Sequence, residues 1–256
     1  MSTLPIALAE PSVAVLVDFD NVFKNGPGLN FDWMKHELNK LVELALAADP
    51  NIAMVSIRLY GGWMQDGMLT AFASTLQTVI SASSFFPIKH PKKEGLLRGT
   101  IDLATRLLGV PAIEWDDTRR VKSGLPRIRL AKETLPSKCI NPDVCPATAL
   151  NRFTKHKSKL CPTAGCSVTN AEAFQTVEQK MVDTMIACDT IFLAVDGGQG
   201  YVLVVTDDSD AVPAVALAQT LSKGPKLKLV TTSRTAGVYN ATMNSIGVEC
   251  HVFEAE

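Results

Sequence analysis

Residues 204–210 read Val-Val-Thr-Asp-Asp-Ser-Asp, an apolar run that ends in three carboxylates within four residues. Like charges about 4 Å apart repel by roughly 4 kcal/mol at an effective dielectric of 20. A chain that gathers them holds a cation, a proton or a helix end close by. The apolar part, YVLVVT (201–206), has the length and β-branched content of a buried strand. The same pattern occurs near the start of the chain, where VAVLVDFDN (13–21) runs into Asp18, Asp20 and Asn21. In open α/β sheets, ligands gather outside the carboxyl ends of the strands, so these two strand ends decide how the fold is read.

Working outward, FDWMKHELNKLVELALAAD (31–49) spaces Trp33/Met34, Leu38, Leu41/Val42 and Leu44/Ala45 at helical intervals after an Asn30 cap. NIAMVSIRLY (51–60) is a second strand, ended by Gly61-Gly62. Residues 67–82 read as helix, SFFPIKH as a short extended piece, and TIDLATRLLG (100–109) as helix or turn. Residues 112–133 alternate around Ser123-Gly124-Leu125-Pro126 and predict a hairpin. Residues 170–195 predict one long helix with a stripe of Phe174, Val177, Met181/Val182 and Met185/Ile186. Beyond YVLVVT come a helix from Ser209, a strand at 226–232, a helix near 237–245 and a strand GVECHVF. This alternation predicts an α/β fold: a mostly parallel central sheet with helices on both faces, a three-layer α/β/α sandwich. No internal repeat is visible.

The chain has 256 residues, 46% of them hydrophobic and 20% charged, which suits a globular protein with a sizeable core. No apolar run approaches the ~20 residues of a membrane span. The N-terminus MSTLPIALAEPS lacks a basic leader, so it does not read as a signal peptide. The expectation is a cytoplasmic protein without a membrane partner, whose cysteines are reduced thiols or metal ligands. Net charge is −1, but its distribution is uneven. Between Arg119 and Leu160 stand eleven Lys/Arg against Glu133 and Asp143, a net +9, while the remainder holds 14 basic and 24 acidic residues, or −10. This suggests a basic arm on an acidic body, the alternative being a solvated lysine-rich loop.

The acids fall in three places: Asp18 with Asp20 and Asn21, Asp183 in the stretch 170–195, and Asp207/Asp208/Asp210 after the strand. Carboxylate oxygens are the ligands that Mg²⁺ and Mn²⁺ prefer, and paired ions of this kind support phosphodiester hydrolysis. Each place has a plainer reading. Asp210 can cap the helix that follows, Asp207 can be solvated, Asp183 can pair with Lys180, and Asp18 with Asn21 can tie a turn. Capping needs one acid, however, and here there are three.

Four segments, VLVDFDN, IRLYGGW, KMVDTMIACD and VVTDDSD, stand in this order in the chain. They resemble the NYN domains, members of the PIN-like nuclease superfamily that includes the LabA-type bacterial proteins. That family shows an apolar strand ending in D-x-x-N, a strand ending in a Tyr-Gly-type turn, a helix with K-x-x-D-x-x-x-x-x-D, and a strand ending in [ST]-G-D-x-D. The resemblance implies one NYN/PIN-like domain over 10–256, interrupted by a segment at 112–170 that has no counterpart in the family. It implies metal-binding carboxylates at Asp18, Asp183, Asp208 and Asp210, with Asn21, Lys180, Asp189 and Thr206 accessory. It further implies Mg²⁺- or Mn²⁺-dependent cleavage of RNA, such as tRNA or single-stranded RNA, leaving 5′-phosphate and 3′-hydroxyl ends. DNA and a homo-oligomer stay open. Two residues depart from the pattern: Asp207 stands where the family has Gly, adding a candidate ligand, and Ala211 where it has an aromatic.

Within the interruption, Cys139, Cys145, Cys161 and Cys166 are spaced C-x5-C-x15-C-x4-C, with His156 between the pairs. Four such ligands suit a structural zinc that folds a segment lacking its own core, a small zinc-ribbon-like insertion, with His156 as a substitute ligand. Cys188 and Cys250 read as core residues. If zinc orders the insertion, Lys155, Lys157, Lys159, Arg127 and Arg129 become a fixed basic surface for substrate phosphates, with Phe153 and His156 available to stack on bases. Two rival functions remain at this stage. VLVDFDNVF also fits the D-x-D opening of haloacid-dehalogenase-type phosphatases, with Asp18 as nucleophile and Asp20 as general acid, though Asn21-Val22 departs from that pattern. The other is a non-catalytic module that binds RNA or a protein.

Overall fold

Five consecutive apolar residues, Val13 to Val17, are all buried, and they make β1 (Ser12–Asp18) an interior strand of a seven-stranded sheet. The computed structural model describes residues 11–23, 30–89, 95–130, 141 and 144–254. β1 lies between β2 (Met54–Tyr60) and β9 (Tyr201–Val205), parallel to both. After β2 a short hairpin pairs β3 (Met64–Gln65) with β4 (Met68–Leu69) apart from the sheet, and beyond β2 in the sheet come β6 (Leu96–Leu103), parallel, and β5 (Ile88–Lys89), antiparallel. Beyond β9 come β10 (Lys226–Thr232) and β11 (Glu249–Phe253), both parallel. The fold is thus mixed α/β with a mostly parallel sheet.

Alternation along β1 builds a core on each face. Val13, Val15 and Val17 pack with Met34, Leu38, Leu41 and Ala45 of α2 (Phe31–Ala48) and Leu76 of α3 (Ala71–Ala82). Ala14 and Leu16 pack on the other side with Met185, Ile186 and Leu193 of α6 (Val182–Asp196) and Val215 of α7 (Val212–Leu221). Asn30 caps α2 as expected, its Oδ1 accepting the Asp32 and Trp33 N–H groups at 2.9 and 3.2 Å. The chain moves from β1 outward through β2 to β6 in one direction, and from β9 through β10 to β11 in the other. The order therefore reverses between β1 and β9, which is where open α/β sheets form their ligand crevice.

Contacts divide the chain into two units, one comprising the residues up to Thr118 with Gln179–Glu256, the other Arg119–Glu178. The second unit starts later than residue 112 because 112–118 are tied to the sheet unit. Trp115 N–H donates to the Thr105 carbonyl at 3.0 Å and Met64 N–H to Thr118 Oγ1 at 2.9 Å. It holds β7 (Arg119–Ser123) paired with β8 (Gln175–Gln179), α4 (Pro146–Phe153) and α5 (Asn170–Ala173).

Three expectations fail. Residues 96–103 are strand, so the helix-or-turn reading of 100–109 is replaced by the end of β6 and a turn. β7 does pair, but its partner is β8 rather than the residues after Pro126. The predicted helix over 170–195 is three elements: α5, β8, and α6 from Val182. Met181 has φ 64°, a left-handed conformation that stops a helix from running through it. The stripe Phe174, Val177, Met181 fits both periods loosely, and the strand prevails because β7 supplies its hydrogen-bonding partner.

Candidate functional site

Because Val17 pairs with Val205, the chain leaves β1 and β9 side by side at Asp18 and Thr206. Asp18 is 1% exposed and caps α1 (Phe19–Val22). Its Oδ2 accepts from Asn21 Nδ2 at 2.7 Å and Thr206 Oγ1 at 2.9 Å, whereas Oδ1 receives only a long 3.4 Å contact from Asn21 N–H. One oxygen is fixed and the other keeps capacity for a further partner. Burial pushes the Asp18 carboxyl above its ordinary range, the Asn21 and Thr206 hydrogen bonds oppose this, and the Asp208 charge adds to the rise.

The second strand end continues the arrangement. Asp208 N–H donates to Thr206 Oγ1 at 3.0 Å, and Asp208 Oδ1 accepts from Asp210 N–H at 2.9 Å, capping a 3-10 turn at Ser209–Ala211. The cap is therefore Asp208 rather than Asp210. Asp183 lies in the first turn of α6, where a helix N-terminus favours a negative charge. Even so its pKa is raised, by burial first and then by the charges of Asp18, Asp208 and Asp210. Repulsion and desolvation outweigh the helix end. Four acids from three separate stretches thus act on one another, and they are oxygen donors of the kind a hard divalent cation takes. Among the described residues no three His, Cys, Asp or Glu side chains are already drawn together as a cage for an ion. The donor chemistry and the spare Asp18 oxygen fit such a cation.

Other residues of the sequence reading go elsewhere. Asp207, expected as an added ligand, is committed to the end of β10. It accepts from Thr232 N–H at 2.7 Å, Thr232 Oγ1 at 2.5 Å and Thr235 Oγ1 at 2.7 Å, and pairs with Arg234 at 2.9 Å. Burial pushes its carboxyl up, but these hydrogen bonds and the guanidinium prevail and hold it low. Asp189, expected as accessory, is fully buried in a separate network. It accepts from Tyr60 Oη at 2.6 Å and Leu108 N–H at 2.7 Å, with Arg58 Nε at 3.5 Å, and so ties α6 to β2. Lys180 precedes α6 instead of lying on it, its N–H bonded to the Thr118 carbonyl at 2.9 Å, so no helical spacing pairs it with Asp183.

Arg234 was not singled out by sequence reasoning, since a lone Arg in TTSRTAG has no spacing signal. Besides Asp207 it donates to the Asn21 carbonyl at 2.5 Å, linking the β10 end to the turn that carries Asp18. Asp20 is likewise spoken for: its Oδ2 accepts from Gly62 N–H at 3.3 Å and from the Gln179 side chain.

In the Arg119–Glu178 unit, Cys161 and Cys166 flank a tight turn. The Thr163 hydroxyl and N–H donate to the Cys161 sulfur, and with the Cys166 contact they hold that thiol below its usual range. Cys145 precedes α4 as its cap residue, and Cys139 lies outside the described residues. Among the described residues no trio of ligands is drawn together there, with or without His156. Phe153 is 8% exposed and packs on Phe174 at 5.8 Å, so it is a core residue and not a stacking platform. Cys188 is exposed, contrary to the core reading, and Cys250 is half-buried. Lys155, Lys157, Lys159, Arg127 and Arg129 are all exposed. No helix among the described residues is long and apolar enough to cross a membrane. No family model, curated protein or solved structure matches the chain.

A raised carboxyl pKa stabilises the fold fully below the unfolded value, 3.8 for Asp183, and that contribution is lost as pH rises through the raised folded value. Near neutral pH the metal-free protein carries the repulsion. Asp183→Asn is expected to raise the melting temperature in chelator at neutral pH, by about 2–4 °C per kcal/mol relieved. The gain should shrink as pH falls toward 3.8. A lowered melting temperature at neutral pH would show that Asp183 is not repelled by the other three.

Proposed function

We propose that the chain is a divalent-metal-dependent ribonuclease on an NYN-type, PIN-like sandwich, in which Asp18, Asp183, Asp208 and Asp210 hold Mg²⁺ or Mn²⁺. The observation that supports this most is that Asp183 feels the charges of the other three while Asp18 keeps one oxygen unsaturated. A bound ion would supply the Lewis-acid chemistry of phosphodiester hydrolysis. The chain's own residues prepare for it. Asn21 and Thr206 fix one oxygen of Asp18, and Thr206 also receives the Asp208 N–H, so a single hydroxyl sets the relation between both strand ends. Asp207 and Arg234 hold the loop after β9 against the end of β10 without using the four acids. Lys180 is assigned to a substrate phosphate.

The phosphatase alternative needs Asp20 to reach a leaving group, whereas Asp20 is bonded to Gly62 and Gln179. With Mn²⁺, Asp208→Asn should cut labelled RNA at least about 100-fold more slowly than the parent. RNA binding should persist. Undiminished cutting by that variant, or phosphate release from a small ester in place of RNA cleavage, would reject the assignment.

A structural zinc in the Arg119–Glu178 unit is the second part of the reading, with Cys161 and Cys166 as one ligand pair and Cys139 and Cys145 as the other. Its support is the thinness of the unit's core: Phe153 is the one buried apolar side chain among its described residues. Units of this size usually need a metal or a disulfide as a staple. Elemental analysis of the purified protein should find close to one zinc per chain, released by Cys161→Ser. A folded, zinc-free protein would remove this part.

A further inference from the structure

Within its structural limits, the Arg119–Glu178 unit keeps the basic excess read from the sequence. It holds eleven Lys/Arg against four Asp/Glu, a net +7, while the rest of the chain is −8. Its two described acids are used internally. Glu172 closes a capping box with Thr169, and Glu178 pairs with Lys122. Arg127, Arg129, Arg152, Lys155, Lys157 and Lys159 are exposed and form no ion pair among the described residues. Such a set attracts a polyanion, and each cation that meets a phosphate releases a counterion.

The same unit carries an open groove of about 570 Å³, walled by Lys157 and by Lys122 paired with Glu178, and floored by Leu125, Pro126 and Val177. Val177 is 57% exposed, although it is a large apolar residue on a strand. The groove is rigidly framed. Asn170 is fully buried; its Oδ1 accepts from Leu125 N–H at 2.9 Å and its Nδ2 donates to the Leu125 carbonyl at 3.2 Å. The backbones of Lys157 and Lys159 are held through their carbonyls by Ala171 and Asn170 N–H groups at 2.9 and 3.0 Å. A cation unpaired among the described residues, Lys157, beside an apolar floor is a combination that grips unpaired strands, whose bases expose apolar faces next to their phosphates. A duplex offers that floor nothing.

We propose that the Arg119–Glu178 unit is a binding module for single-stranded RNA, with phosphates on Lys155, Lys157 and Lys159 and a base seated on Leu125, Pro126 and Val177. The choice of a single strand stands on the groove; the choice of RNA over DNA rests on the ribonuclease reading. Binding in chelator requires no cleavage, so the two readings fail separately.

The test is fluorescence anisotropy of the full chain in chelator with a short unstructured RNA, the matching RNA duplex, and anionic phospholipid vesicles as competitor, across a salt series. Combined Lys155→Ala, Lys157→Ala and Lys159→Ala should weaken single-strand binding at least about tenfold and flatten the log–log salt slope by about 2. Val177→Ser should weaken it about fivefold with the slope unchanged. These are exposed positions, and an unchanged melting curve confirms folded variants. Single-strand binding untouched by the triple substitution overturns the proposal. So does duplex or vesicle binding as tight as the single strand with Val177→Ser silent.

Discussion

The contact on which the site depends is the 2.9 Å hydrogen bond from Thr206 Oγ1 to Asp18 Oδ2, made where two central parallel strands end next to each other. It joins residues 188 apart in sequence, and the same hydroxyl accepts the Asp208 N–H. The register of β1 against β9 makes it available, because a shift of one residue would turn Asp18 to the other face. From that junction the acids follow: Asp208 and Asp210 in the turn after β9, and Asp183 on the helix packed behind it. The cost is electrostatic. Asp18 and Asp183 are held where burial, and after it the neighbouring acids, raise their pKa values. A fold tolerates this when something else is gained, and the cation site proposed above would be a gain that matches oxygen donors.

Around the junction, two further networks keep the acids apart from the rest of the polar interior. Asp207 is paired with Arg234 and the β10 threonines, which hold its carboxyl low, and Asp189 is bonded to Tyr60, Leu108 and Arg58, although burial still raises its carboxyl. Both are carboxylates within a few residues of the four acids in sequence, yet each has its own hydrogen-bond and cation partners. The four proposed ligands differ in that their charges act on each other. This contrast separates structural acids from candidate ligands better than adjacency in sequence does.

Much of the frame was legible because it is written in local signals. The apolar run of β1, the Asn30 cap, the Gly61-Gly62 stop and the strand at 226–232 each depend on neighbouring residues, and each appears where it was expected. What escaped depends on distant partners. Asp207 looks like a ligand until Thr232, Arg234 and Thr235 are brought to it from 25 to 28 residues away. Gln175–Gln179 looks helical until β7 pairs with it, and Phe153 looks like a stacking residue until Phe174 covers it. The placement of Asp18 and Asp208 at two strand ends was legible, whereas the adjacency of those ends required the sheet order.

The most direct measurement of the central claim is anomalous diffraction from a crystal of the full chain soaked in Mn²⁺. The account predicts a manganese peak within coordination distance of Asp18 and Asp208 carboxylate oxygens, with Asp183 or Asp210 turned toward it. A fully soaked crystal with no peak there, or with manganese held by Asp207 or Asp189 instead, would contradict it.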